Sequence, residues 1–225
     1  MDIFGQPHFD TLTEPSYKVG ALRHDLIVEE VNELIEAIRD DNIVEIADAL
    51  ADILYVTYGA LATFGLKDEL TILTDNIQEQ MDKTKKLSQD NNLLKVSDAQ
   101  DIIDNYNNFK EVLWYNLSKG HMRSLGGYMR GIITMTYCTS KSLGIDIESC
   151  FYEVHASNMS KVCSTLEEAN DSLNVRYHDE GLEDYRDAWI DEINGYFVIK
   201  RKSDDKVLKG CSYFVPDLQK ILNKA

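Results

Sequence analysis

Apolar residues return at helical spacing along most of the chain. Between about Val19 and Arg39 they fall at Leu22, Leu26, Val31, Leu34, Ile35 and Ile38, which predicts a first helix. The Asp40-Asp41-Asn42 stretch that follows is a turn with a capping residue. A second helix is predicted from Ile43 to about Phe64, ending before Gly65. So short a connection makes the two helices antiparallel neighbours. Residues 67–89 read as a third helix that turns strongly polar at its end, and 90–97 as a loop. Further helices are predicted at about 98–118, 122–143 and 146–160, broken by Gly120 and Gly144, with a weaker one at 164–177. Residues 1–19, with two prolines and no period, read as an irregular arm. The tail changes character. Tyr196-Phe197-Val198-Ile199-Lys200 and Lys206-Val207-Leu208-Lys209 flank Ser203-Asp204-Asp205, which predicts a β-hairpin. The expected fold is mainly α, with a small hairpin near the C-terminus.

Composition narrows the function. Among 225 residues, 39 Asp and Glu stand against 23 Lys and Arg, a net charge of −16. Such a surface repels bulk nucleic acid and anionic membrane, while leaving room for a small anionic ligand held through a metal ion. No apolar run reaches the ~20 residues of a membrane span. The first residues, MDIFGQPHFD, lack the basic and apolar parts of a signal peptide. The 4 cysteines, Cys138, Cys150, Cys163 and Cys211, form no CxxC. That argues against structural zinc and for a reducing, cytoplasmic setting. The 3 prolines, Pro7, Pro15 and Pro216, leave a long proline-free stretch that suits helices.

The second predicted helix carries Glu45, Asp48 and Asp52, and no basic residue occurs between Arg39 and Lys67. At about 100° per residue from Ile43, the three acids fall at about 200°, 140° and 180°, a single stripe. Ile46, Ala47, Leu50, Ala51, Ile53, Leu54 and Leu61 occupy most of the remaining girth, so the helix is expected to be buried. Unpaired carboxylates there are costly or become protonated, and a metal cation is the usual answer. On the first helix Glu29, Glu33 and Glu36 share a stripe, with Glu30 about 60° beyond Glu33. Glu30-x-x-Glu33 and Glu45-x-x-Asp48 each present two carboxylates together, and antiparallel helices can set the pairs face to face. Hard oxygen donors without His or Cys favour Mg²⁺ or Mn²⁺. Glu45 also stands three residues after Asn42, where a capping partner belongs, and Glu36 reads as solvated. A di-iron carboxylate bundle would want Glu-x-x-His, and none of the 5 histidines stands three residues after a Glu.

The segment LRHDLIVEEVNELIEAIRDDNIVEIADALADILYVTYGALATFG resembles the MazG-like superfamily of all-α nucleoside triphosphate pyrophosphohydrolases, which includes phosphoribosyl-ATP pyrophosphohydrolase and the dimeric dUTPase-like enzymes. The hallmark EExxE is matched by Glu29-Glu30-Val31-Asn32-Glu33, and the following ExxD by Glu45-Ile46-Ala47-Asp48. FYEVHASNMSKVC at 151–163 is similar to the VHxSNMSK block of the phosphoribosyl-ATP pyrophosphohydrolase-like branch. DDKVLKGCSYFVPDL in the tail is similar to that branch's GKVxKGxxYxxPDL.

The resemblance implies a single domain over 1–225. It comprises an arm and metal-binding helix pair at 1–66, a helical insert at 67–143, an SNMSK substrate helix at 144–163 and an extension with the hairpin at 164–225. Compact members replace the insert by a short turn, so the insert bears on oligomer geometry and substrate choice. The resemblance further implies that Glu30, Glu33, Glu45 and Asp48 bind Mg²⁺, with Asp52 a further ligand or a group behind the ligands. Glu29 would be the base for the attacking water. Asn158 and Lys161 would face the substrate, where the plainer reading has Asn158 cap a helix end and Lys161 stand solvated. Tyr55 would line the nucleoside pocket or serve as a core tyrosine, and Lys206 and Lys209 would close over phosphates or guard an edge strand. The expected activity is hydrolysis of a nucleoside triphosphate or related nucleotide to monophosphate and pyrophosphate. No Walker motif is present, and the metal would take the place of a phosphate loop. A homodimer is the default expectation, with the insert either enlarging each subunit or standing in for the partner. The alternative to an enzyme is a catalytically silent helical scaffold or metal-dependent nucleotide-binding protein.

Overall fold

Helix α1 spans Tyr17–Arg39, and the Ser16 hydroxyl caps it by accepting from the Val19 N–H. Helix α2 spans Ile43–Thr63, and Asn42 Oδ1 accepts from the N–H groups of Val44 and Glu45. Between them Asp41 takes a left-handed conformation (φ 52°), which Asp tolerates better than most residues. The computed structural model describes residues 2–69 and 96–223. The helix expected at 67–89 therefore lies, beyond Glu69, outside the described residues, as does most of the loop expected at 90–97; Val96 and Ser97 are already helical.

The chain divides into two compact units, residues 8–152 with 217–225, and residues 1–7 with 153–216. In the first unit, α1 and α2 pack along their length, burying Ile27, Val31, Leu34 and Ile35 against Leu50, Ile53, Leu54 and Leu61. The insert adds α3 (Val96–Ser118) and α4 (Met122–Ser142), a second packed pair. Helix α4 packs on α2, and α3 packs on α1. The four helices thus close a ring around one core, to which the insert contributes Tyr106, Leu113, Leu125, Met129, Ile132 and Ile133. The buried Tyr106 hydroxyl lies 3.0 Å from Thr136 Oγ1 and so is satisfied inside the core. Lys110 of α3 donates to Asn32 Oδ1 of α1 at 2.6 Å. The arm at 8–13 runs back along the end of α2, with Phe9 N–H donating to Ala62 O and Thr13 N–H to Phe64 O. Gly65 (φ 66°) permits this approach, since a Cβ there would stand 1.8 Å from the Thr11 carbonyl oxygen. A short helix α7 (Leu218–Leu222) also packs on α2.

Helix α5 (Ile147–Met159) opens in the first unit and ends in the second. The second unit then continues through α6 (Leu166–Asn174), a π-helical turn at Val175–Asp179 and an antiparallel hairpin. The hairpin corrects the sequence reading. Its strands are β1 (Trp189–Ile193) and β2 (Tyr196–Lys200), with Ile193 opposite Tyr196 across Asn194-Gly195. Both turn residues have positive φ, 52° and 81°, as a two-residue hairpin turn with matching twist demands. The 206–209 stretch is no strand: Val207 makes an isolated bridge to Lys200, and Leu208 N–H donates to Ile199 O. Asp204 occupies that connection instead, gripping Arg201 through its carboxylate. The hairpin packs on Cys163, Ala169, Tyr185 and Leu208.

Candidate metal and nucleotide site

The acids on α1 and α2 form a ladder along the helix pair. Count outward from the turn, with Arg39 opposite Ile43. Glu33 stands six residues before Arg39 and Asp48 five after Ile43. Glu30 and Asp52 both stand nine away, and Glu36 and Glu45 three and two. At about 1.5 Å per residue, each pair is level to within about 1.5 Å along the axis. The antiparallel arrangement is fixed at the far end, where Arg23 Nε donates to Thr63 Oγ1 at 2.9 Å.

Burial corrects one expectation. Helix α2 is buried around most of its girth, but the stripe that carries the acids is its accessible strip: Glu45 is exposed, and Asp48 and Asp52 are half-buried. On α1, Glu30 is half-buried while Glu29, Glu33 and Glu36 are exposed. The carboxylates take the strip that water reaches, so their desolvation cost is modest. Asp48 has an interacting neighbour, and its Oδ1 atom is buried without a hydrogen bond among the described residues. Among the described residues, no three His, Cys, Asp or Glu groups are gathered closely enough to hold a metal ion. Like charges on adjacent rungs drive one another apart until a cation offsets them. The donors themselves suit Mg²⁺: carboxylate oxygens on two rigid helices, at i, i+3 spacing.

Beyond the acids the strip becomes aromatic. Tyr55 is half-buried, and burial, with Asp52 adding and Arg23 opposing, pushes its hydroxyl up to about 12. The start of α5 lies against the same strip: Phe151 sits 6.0 Å from the Tyr55 ring and 5.8 Å from Tyr58. The buried Cys150 thiol is pushed up to about 11 by burial and by the carboxylates of Asp146 and Asp48. Arg23 is a residue the sequence reading passed over. It is 6% exposed, and burial lowers its guanidinium to about 10 against the pull of Tyr55. Its signal was a basic side chain four residues before Ile27, on the apolar arc of α1.

The remaining expected residues lie in the second unit. Asn158, in the last turn of α5, is buried, and its Oδ1 accepts from Lys161 Nζ one turn on. The SNMSK block and the tail are joined: Ser157 Oγ donates to Phe214 O at 2.7 Å, and Ser160 Oγ accepts from Phe214 N–H at 3.1 Å. Gly210 allows the close fit, since a Cβ there would be 2.9 Å from Cys163 Sγ and 3.3 Å from Lys161 O. Lys209 is exposed, with Nζ 4.5 Å from the centre of the Tyr213 ring, and Lys206 is half-buried beside Asp204. His155, in the same block, is exposed.

Comparison with known proteins follows these blocks. A family model described as phosphoribosyl-ATP pyrophosphohydrolase matches residues 1–81, which contain both acidic helices. A protein of Acanthamoeba polyphaga mimivirus, described as uncharacterized, is 30% identical over 209 residues, covering 89% of this chain and 82% of its own length. The uncovered 11% of 225 residues is about 25 positions, fewer than the 77 of segment 67–143, so the similarity runs into the insert. No solved structure matches the chain. No helix among the described residues is long and apolar enough to cross a membrane.

Proposed function

Because residues 1–81 match the phosphoribosyl-ATP pyrophosphohydrolase family model, we propose that the chain hydrolyses a nucleoside triphosphate or related nucleotide to the monophosphate and pyrophosphate, using Mg²⁺ or, in its place, Mn²⁺. One observation carries the reading. The acids of the two antiparallel helices stand at matching distances from their shared turn, Glu33 with Asp48 and Glu30 with Asp52, and Glu45, Asp48 and Asp52 lie on the accessible strip of α2. Glu30, Glu33, Glu45 and Asp48 would hold the metal, with Asp52 level with Glu30 and able to ligate or to orient a ligand. Bound there, the metal supplies neutralising charge for the phosphates and a lower pKa for coordinated water.

The protein's own part is positioning and proton transfer. Glu29 is exposed and turned about 100° from Glu30, so it can take a proton from water beside the ligand row without leaving the helix. Tyr55 extends the strip toward the nucleoside. Asn158 holds the Lys161 ammonium, a point charge suited to phosphate. Lys206 and Lys209 are further cations for the phosphates, reached from an irregular stretch rather than a strand.

Assembly follows from the ring of helices. An apolar pair such as α1–α2 needs a cover, and α3–α4 supply it within the chain. Of the two roles open to the insert, this supports the one in which it stands in for a second copy.

Pyrophosphate release from a nucleotide panel, with MgCl₂ and with EDTA, tests the function. Metal-dependent release of monophosphate and pyrophosphate is expected. Tight binding with no product over hours would instead favour the silent nucleotide-binding protein.

A further inference from the structure

The accessible strip of α2 does not end at its acids. Tyr55 and Tyr58 follow Asp52 by three and six residues, a rise of about 9 Å to Tyr58. That length is comparable to the reach from a nucleotide's phosphates to its base. Phe151 of α5 lies between the two tyrosines, tilted at 42° to Tyr55 and edge-on at 85° to Tyr58. Tyr152 continues the row, 6.3 Å from Phe151 and 70% exposed. The insert joins the row from the other side: the Tyr137 hydroxyl of α4 stands 3.4 Å from that of Tyr58. Tyr55, Tyr58, Phe151 and Tyr137 are each half-buried. What sets this row apart from the other exposed rings is its place: it continues the acidic strip of α2, where a flat apolar ligand joined to phosphates would lie.

We propose that this row is the base-recognition platform of the nucleotide site, with Tyr152 and Phe151 stacking on the nucleobase and the Tyr58–Tyr137 hydroxyl pair reading its edge, so that the insert sets base preference. The assignment rests on the nucleotide reading above and adds residues to it. Every base has a π-face, so stacking supplies affinity without choice. Choice needs polar groups on the base edge, and each hydroxyl can donate or accept. Burial raises the Tyr58 hydroxyl well above the ordinary tyrosine range, with Tyr137 adding, so Tyr58 keeps its proton at neutral pH. Because Tyr137 belongs to α4, a chain with a short turn in place of segment 67–143 has no equivalent hydroxyl there.

Two variants separate the roles. Tyr152→Ala removes an exposed ring and leaves no cavity, so the melting curve should hold. Its KM should rise roughly 5- to 100-fold for every nucleotide, the range for loss of one stacking ring. Tyr137→Phe keeps the ring and removes the hydroxyl, and should change the ratio of kcat/KM between bases. Unchanged KM in the first variant and an unchanged ratio in the second would overturn the platform while leaving the enzyme reading intact. If the wild-type protein releases no pyrophosphate from any nucleotide, the enzyme reading fails, and calorimetry with nucleoside monophosphates and inorganic pyrophosphate decides the platform separately. Monophosphate affinity lost in Tyr152→Ala, with pyrophosphate affinity kept, supports it. Equal monophosphate affinity in both proteins, or none in either, overturns it.

Discussion

Arg23 at the start of α1 donates from Nε to the Thr63 hydroxyl at the end of α2, and both residues are buried. The bond joins the helix pair at the end remote from its tight turn, so the two together set the register of the acids between them. Thr63 in turn donates to the Gly59 carbonyl, which fixes its hydroxyl for the role. Thr63→Val removes the Nε acceptor from a buried cation and should lower stability by about 1–3 kcal/mol. Thr63→Ser restores the oxygen and should recover most of that loss. Urea unfolding midpoints for the three proteins provide the check, and equal midpoints would mean the bond does not hold the register.

Metal should act on stability before it acts on rate. The rungs pair Glu33 with Asp48 and Glu30 with Asp52, and like charges at that spacing oppose the folded state until a cation intervenes. Millimolar Mg²⁺ should therefore raise the melting temperature, by mass action on the folded form. Glu33→Gln and Asp48→Asn should each reduce both this rise and the rate. Asp52→Asn should cost about 10- to 100-fold in metal affinity or activity if Asp52 orients a ligand. Glu29→Gln should lower the rate while leaving the Mg²⁺-induced rise in place. Differential scanning calorimetry with and without Mg²⁺ decides, and a Glu29→Gln protein that loses the rise would make Glu29 a ligand rather than a base.

The helices were legible because their signals are local. Apolar spacing and the Asn42 cap gave α1 and α2 to within two residues, and Gly120 and Gly144 marked the breaks that follow. The hairpin was misread because Lys206-Val207-Leu208-Lys209 looks like a strand by composition alone, while Asn194-Gly195, the stronger turn signal, went unused. The acid stripe was legible as an angle but not as a surface. Which arc of α2 stays open depends on α1, α4 and the start of α5, and those contacts are tertiary. Arg23 escaped for the same reason: its partner Thr63 is forty positions away.

Alkali should unfold the protein through its buried phenols. Burial raises Tyr55 to about 12, with Asp52 adding, and raises Tyr58 and Tyr106 further. A folded pKa above the unfolded value of 10.0 means the folded state holds its proton longer. The stability this contributes is fully present below pH 10 and is lost as pH climbs toward about 12. Phenolate absorbance from these three tyrosines should therefore appear as a late phase, together with loss of helical circular dichroism. A Tyr106→Phe variant should reduce that phase. One smooth titration near pH 10, with the helix signal intact, would contradict the burial of these hydroxyls.

Assembly tests whether one chain makes a complete bundle. Leu50, Ile53, Leu54 and Leu61 of α2 are fully covered with a single chain present, and so are Leu125, Met129, Ile132 and Ile133 of α4. A second copy would find no large apolar face of α1–α2 to cover, and obligate helical interfaces require one. Among the large apolar side chains the bundle exposes, three aromatics lie on the insert: Trp114, Tyr115 and Tyr128 are 45%, 56% and 43% exposed. Trp114 is already partnered by the His24 ring at 5.0 Å, which ties this surface to α1. The charge of −16 opposes pairing only weakly at physiological salt, where a Debye length is about 8 Å, so a monomer would reflect covered surface rather than repulsion. Light scattering at micromolar concentration should give a concentration-independent mass near the 25.7 kDa of one chain. A mass of twice 25.7 kDa that Trp114→Lys and Tyr128→Lys abolish would place the interface on the insert. The same mass in those variants would mean that α1–α2 still recruits a second chain, and that the insert enlarges a dimer instead of replacing one.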